Sequence, residues 1–175
     1  ARARLDVRWG DSYSQPVLDA LQAAPGNEPI LAEMQGTNAA TSFTSAGFQW
    51  DGERWLLIGE YAARRATAFV NSAYGWHLTA GYHIGPATPY VKIARTVQDR
   101  QVVSEHFVAD QPELRGFNVA RNGAQRSIGA GLRWDVRSDA ALKVEFARAH
   151  VNHDAWGSFF PTGDVVTTRV GDRTI

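Results

Sequence analysis

The chain has 175 residues, no net formal charge, charged residues at 21% and no cysteine. That length bounds one domain of ordinary size, and a neutral balance offers no global field to nucleic acid, so no nucleic-acid partner is expected. Without cysteine, a disulfide framework, a thiolate metal site and a thiol nucleophile are all excluded.

No run approaches the roughly 18 consecutive apolar residues of a membrane-crossing helix, and the mean hydropathy is negative. Membrane strands escape that test, because they turn only every second residue to lipid; alternation is the proper one. The opening Ala-Arg-Ala-Arg-Leu has no apolar stretch of the signal-peptide kind. Residues 1–9 instead alternate as a strand, with Ala1, Ala3, Leu5, Val7 and Trp9 on one side and Arg2, Arg4, Asp6 and Arg8 on the other. A long connection, 10–42, follows. It holds two helix-compatible stretches, 15–24 and 28–34, with Pro16 and Pro29 early in each.

The next strand, 43–50, puts Ala46, Phe48 and Trp50 on one face and ends at Asp51-Gly52, a hairpin-turn dipeptide. In 54–64, Trp55, Leu57 and Tyr61 oppose Glu60 and Arg64, while Leu56 and Ile58 break the polarity. After a connection at 65–72, residues 73–84 alternate again: Tyr74, Trp76, Leu78, Ala80, Tyr82 and Ile84 oppose Ala73, Gly75, His77, Thr79, Gly81 and His83. The turn Gly85-Pro86-Ala87-Thr88 leads to 89–97, where Val91 and Ile93 oppose Tyr90, Lys92, Ala94 and Thr96. A long connection, 98–124, separates this from 125–136, in which Ile128, Ala130, Leu132, Trp134 and Val136 oppose Gln125, Ser127, Gly129, Gly131, Arg133 and Asp135. Across the turn Arg137-Ser138-Asp139, residues 141–147 set Leu142, Val144 and Phe146 against Lys143 and Glu145. A last connection, 152–169, leads to a possible eighth strand near Val170.

About seven strands are thus expected, with short and long connections in alternation. An up-and-down barrel crossing a membrane has that asymmetry. Trp50, Trp55, Tyr82 and Trp134 fall on the apolar face near tight turns, and Trp9, Tyr74 and Trp76 near the long loops. They form two girdles in which each ring is buried while its polar group stays in the headgroup layer. The opposite face carries Arg2, Arg4, Asp6, Arg8, Glu60, Arg64, Lys92, Arg133, Asp135, Lys143 and Glu145, which suit a wet lumen. Arg126 and Arg148 share the lipid-side parity but lie near long-loop ends, within reach of headgroups.

The run Ser127-Ile-Gly-Ala-Gly-Leu-Arg-Trp-Asp-Val-Arg-Ser-Asp-Ala-Ala-Leu-Lys-Val-Glu-Phe resembles a hairpin near the carboxyl end of Gram-negative porin-like outer-membrane proteins. Trp55-Leu-Leu-Ile-Gly-Glu-Tyr-Ala resembles another of their strands, and the likeness spans most of 41–151. It implies an all-β, antiparallel up-and-down transmembrane β-barrel. Residues 1–175 would form an incomplete portion of a larger barrel, with short helices in the first long loop. General porins are typically sixteen-stranded and often homotrimeric. The resemblance further implies a bacterial outer-membrane location, outer-membrane lipid and lipopolysaccharide as partners, and passive diffusion of small polar solutes without a cofactor. In that family a basic ladder on the wall opposes acids on an inward-folded loop. Arg2, Arg4 and Arg8 would be such a ladder, with Asp19, Glu28 and Glu33 as the opposing acids.

Two alternatives follow from the same residues. A barrel enzyme of the protease or lipase type would need His150, His153 and Asp154 to converge with a nucleophile. His77 and His83 lie six residues apart, about 20 Å in an extended chain, too far to share a metal. His106 stands alone in the 98–124 connection. A soluble lipocalin-like binding barrel would turn its apolar face inward. Neither a catalytic set nor a metal site is marked in the sequence, so no enzyme is expected.

Overall fold

The computed structural model describes residues 2–7, 14–111 and 113–157. The alternating segments are strands: β1 (Arg2–Val7), β2 (Gly36–Asp51), β3 (Trp55–Ala66), β4 (Ser72–Tyr82), β5 (Ala87–Arg100), β6 (Gln125–Arg137) and β7 (Ala140–Val151). Helices α1 (Ser14–Ala23) and α2 (Glu28–Met34) lie between β1 and β2, and α3 (Glu105–Asp110) and α4 (Glu113–Ala120) between β5 and β6. The fold is mostly β, with a few short helices.

Each strand pairs antiparallel with the next, in the order β1-β2-β3-β4-β5-β6-β7. The sheet is open: among the described residues no pairing joins β7 to β1. The eighth strand expected near Val170 lies outside the described residues, as do Arg8 and Trp9.

Three local expectations need correction. β2 begins at Gly36, well before residue 43, because the small and polar run Gly-Thr-Asn-Ala-Ala-Thr-Ser has no bulky residues to display an alternation. The connection expected at 65–72 shrinks to 67–71, scarcely longer than the tight turns, so the loop asymmetry rests on 8–35 and 101–124. The latter connection is also partly helical, with α3 and α4 too short to show a helical period.

The main hydrophobic core belongs to the connections. Leu18 and Leu21 of α1, Ile30 and Met34 of α2, Val102, Val103, and Leu114 and Phe117 of α4 form one buried cluster. Val17, Leu31, Phe107 and Val108 pack against it. Polar ties join the two connections. Glu33 accepts hydrogen bonds from the Ser104 backbone N–H (2.8 Å) and hydroxyl (2.5 Å), and Gln111 Nε2 donates to Asn27 Oδ1 (2.9 Å). Buried Asn118 closes the loop start, accepting from Val103 N–H (3.0 Å) and donating to Val103 O (2.8 Å) and Gln101 Oε1 (2.6 Å). The result is a small helical cap at the end of the sheet opposite the tight turns. It is anchored to the β3–β4 connection by Phe69 N–H to Glu33 O at 2.8 Å.

Candidate functional site

Residues directly opposite each other on antiparallel strands share a face, so the register sorts the strand residues into rows. On one face the rows run Phe48–Gly59–Leu78–Ile93–Ile128–Arg148, Trp50–Leu57–Ala80–Val91–Ala130–Phe146 and Ala46–Tyr61–Trp76–Arg95–Arg126–His150. Trp55 pairs with Tyr82, their rings edge to face at 5.0 Å, and Trp134 with Leu142. Tyr74 joins the same face opposite Ala63, its ring 6.2 Å from that of Tyr61. On the other face the rows include Gly47–Glu60–His77–Ala94–Ser127–Ala149, Leu56–Gly81–Tyr90–Gly131–Glu145 and Thr88–Arg133–Lys143. Leu56 and Ile58 sit on this second face, near the tight turns.

The two faces differ in exposure as well as composition. In β5, Val91, Ile93 and Arg95 are exposed where Lys92, Ala94 and Thr96 are half-buried. In β6, Arg126, Ile128, Ala130 and Leu132 are exposed where Gln125, Ser127 and Gly131 are half-buried and Gly129 is buried. In these two stretches small and polar side chains are the crowded set and apolar ones stand apart, whereas Glu60, Arg133, Asp135 and Lys143 on the same face are exposed. A barrel of the lipocalin class reverses this, with its bulky face inside.

A polar cluster spans the crowded face. Tyr90 on β5 faces Gly131 on β6, which faces Glu145 on β7, and the Tyr90 hydroxyl donates to Glu145 Oε2 across the glycine at 2.7 Å. Gly131 is required there, because a Cβ would land on the Tyr90 hydroxyl and ring. Two ammonium groups complete the cluster: Lys143 Nζ lies 3.2 Å from Glu145 Oε2 and 5.0 Å from the Tyr90 ring centre, and Lys92 Nζ lies 3.6 Å from Glu145 Oε1. Two cations around one anion leave an excess of positive charge in this cluster. Nearby, Arg133 pairs with Asp135 at 2.8 Å.

Of the residues expected on the charged face, Glu60, Arg64, Lys92, Arg133, Asp135, Lys143 and Glu145 share it. Arg64 is committed to structure, donating to Asn71 O (3.2 Å) and Oδ1 (2.5 Å) where β3 turns into β4. β1 departs from expectation. Arg2 stands opposite Ser42 and Arg4 opposite Ala40, rows that belong with Ala46, Phe48 and Trp50, while Ala3 and Leu5 stand opposite Thr41 and Ala39. The register thus assigns Arg2 and Arg4 to the aromatic side's rows. Alternation within one strand separates two faces but does not say which is which; only the partner's register does. The pairing shifts between Leu5 and Val7, where Thr37 and Asn38 of β2 stand against Asp6 alone, so the extra residue of the bulge is in β2. Glu33, expected as a loop acid facing the ladder, is instead spent on Ser104, and Asp19 accepts from Gln15 Nε2 at 2.8 Å.

The histidine chemistry weighed from sequence does not assemble among the described residues. His150 ends a row on the apolar face, while the fully exposed His153 has only Asp154 at 3.4 Å, itself 3.4 Å from Arg115. His83 bridges Asp51 (2.8 Å) and Thr88 (2.9 Å) and ties two tight turns together. Its alternation was legible; its partners, 32 residues away in one case, were not. A polar cleft of about 440 Å³, missed by sequence reasoning, opens between the end of β5 and the cap. It is lined by Gln98, Asp99, Arg100, Gln101, Ser104, Glu105 and Asn122. Among the described residues no group of three His, Asp or Glu is placed to hold a metal ion.

No protein-family model, curated protein or solved structure matches this chain.

Proposed function

We propose that this sheet is part of the wall of an outer-membrane β-barrel of the porin type, through which small polar solutes or ions pass passively. The reading is of a channel, not a catalyst. The observation that carries it is the contrast of the two faces along β5 and the first half of β6, where bulky apolar side chains are the exposed set and small or polar ones the crowded set. In water an exposed face with Trp50, Trp55, Leu57, Tyr61, Leu78, Ile128, Leu132, Trp134 and Val144 is costly; against acyl chains it is the expected exterior. The porin resemblance of 41–151 points the same way. It also brings the expectations of lipopolysaccharide contact and trimeric assembly. Because β1 and β7 run in the same direction, antiparallel closure takes an odd number of further strands between them.

Selectivity on this reading comes from Lys92, Lys143 and Arg133, not from the β1 arginines. Lys92→Glu with Lys143→Glu moves the reversal potential in a salt gradient toward cation preference. The shift shrinks as salt rises, because the Debye length falls from about 10 Å at 0.1 M to about 3 Å at 1 M. An unchanged reversal potential at low salt would remove these residues from the permeation path.

A further inference from the structure

One row of the apolar face breaks its chemistry. Tyr61, Trp76, Arg95, Arg126 and His150 stand side by side on β3 to β7, and Arg148 is the same-face neighbour of His150 one step along β7. Arg95 and Arg126 are directly opposite each other, a placement in which like charges repel at side-chain separations of about 5 Å. Arg95, Arg126 and Arg148 are all exposed, and among the described residues none has a hydrogen bond or an ion pair. The contrast with other cations of the sheet is sharp. Arg65 is paired with Asp99, Arg133 with Asp135, Arg137 with Asp139, and Lys92 and Lys143 with Glu145.

Opposed guanidinium groups without a carboxylate are stabilised by an anion lying between them, and a guanidinium fork fits the oxygens of a phosphate. The row also carries a half-buried indole, Trp76, and borders the row that holds Leu78, Ile93 and Ile128 and ends at Arg148. An anion bound here would sit where an apolar surface meets the cap-side end of the strands. That is the place of a headgroup, not of a solute. We infer that Arg95, Arg126 and Arg148 form a binding site for the phosphate of an anionic lipid at the cap-side rim of the barrel exterior. The inference rests on the membrane reading above and names the lipid chemistry that this side of the wall selects.

The test uses the full chain in phosphatidylcholine vesicles containing spin-labelled phosphatidic acid or spin-labelled phosphatidylcholine. The fraction of label immobilised at the protein gives the relative affinity of the two lipids. The expected result is a preference for phosphatidic acid. Arg95→Gln with Arg126→Gln should reduce it about tenfold, the loss of one good charge-assisted contact. Arg115→Gln with Arg137→Gln removes the same charge away from this row, in the cap and at a tight turn, and should leave it intact. Arg95→Lys with Arg126→Lys keeps the charge without the fork and should give an intermediate preference, which covers the case in which the glutamine pair does not fold. Equal losses from both glutamine pairs would overturn the site in favour of a general charge effect. Displacement of phosphatidic acid by inorganic phosphate would overturn the lipid assignment in favour of a free anion. Immobilised phosphatidylcholine without any preference would sink the site and spare the membrane reading, whereas no immobilised lipid at all would sink that reading itself.

Discussion

Leu114 and Phe117 in the cap are fully buried, while Leu132 and Phe146 in the sheet are 44% and 80% exposed. Both pairs are ordinary apolar residues, yet one closes on itself and the other does not. In the cap, short helices from two distant connections turn their apolar sides toward one another and exclude water, as in any soluble core. The sheet has two usable faces, and its bulky one is turned away from the crowded side, where small residues let neighbouring strands and side chains approach. The cap is therefore stabilised by water exclusion within the chain, and the apolar face by whatever medium lies against it.

The largest expected effect tests whether the two regions are separable. Phe117→Ala should cost about 3–5 kcal/mol and open the cap to proteolysis, while strand amides stay protected from hydrogen exchange. Simultaneous loss of protection in β5 and β6 would make cap and sheet one cooperative unit. Next, Leu132→Arg places a charge on the apolar face and should cost about 2–4 kcal/mol in a bilayer if the site is near mid-depth. Reversible unfolding from vesicles measures this, and a neutral result would mean water on that side. A smaller effect sharpens the contrast between the faces of the sheet itself. Gly131→Ala drives a methyl into Tyr90 and against the Val144 carbonyl oxygen and should cost about 1–3 kcal/mol by overpacking, only part of it recovered in a Tyr90→Ser background. Equal costs in both backgrounds would show that the Tyr90–Glu145 bridge does not crowd Gly131.

Strands were legible wherever bulky and polar residues took turns, as at Tyr74 to Tyr82 and Ile128 to Val136, because alternation is a local property of an extended chain. The start of β2 was not, since residues 36–42 are all small or polar. The helices α1 and α2 were marked by early prolines, whereas α3 and α4, shorter than three turns, left no periodic trace. Of the candidate site, Lys92, Arg133, Lys143 and Glu145 were visible as the polar half of an alternation. Tyr90 read only as an extended residue, and its role depends on a glycine 41 positions later and a glutamate 55 positions later.

The sequence by itself determined an antiparallel β architecture, tight turns near Gly52, Gly85 and Ser138, and two chemically distinct faces, because period-two patterning and turn chemistry act over a few neighbouring residues. Tertiary structure decided what needs distant partners. It set the register that moves Arg2 and Arg4 to the aromatic side's rows, the joining of two connections into one buried cap, the bridge over Gly131, and which of the two faces is the crowded one. The last of these carries the reading of function, and it lies in the exposure of side chains among paired strands, a property that no single strand possesses.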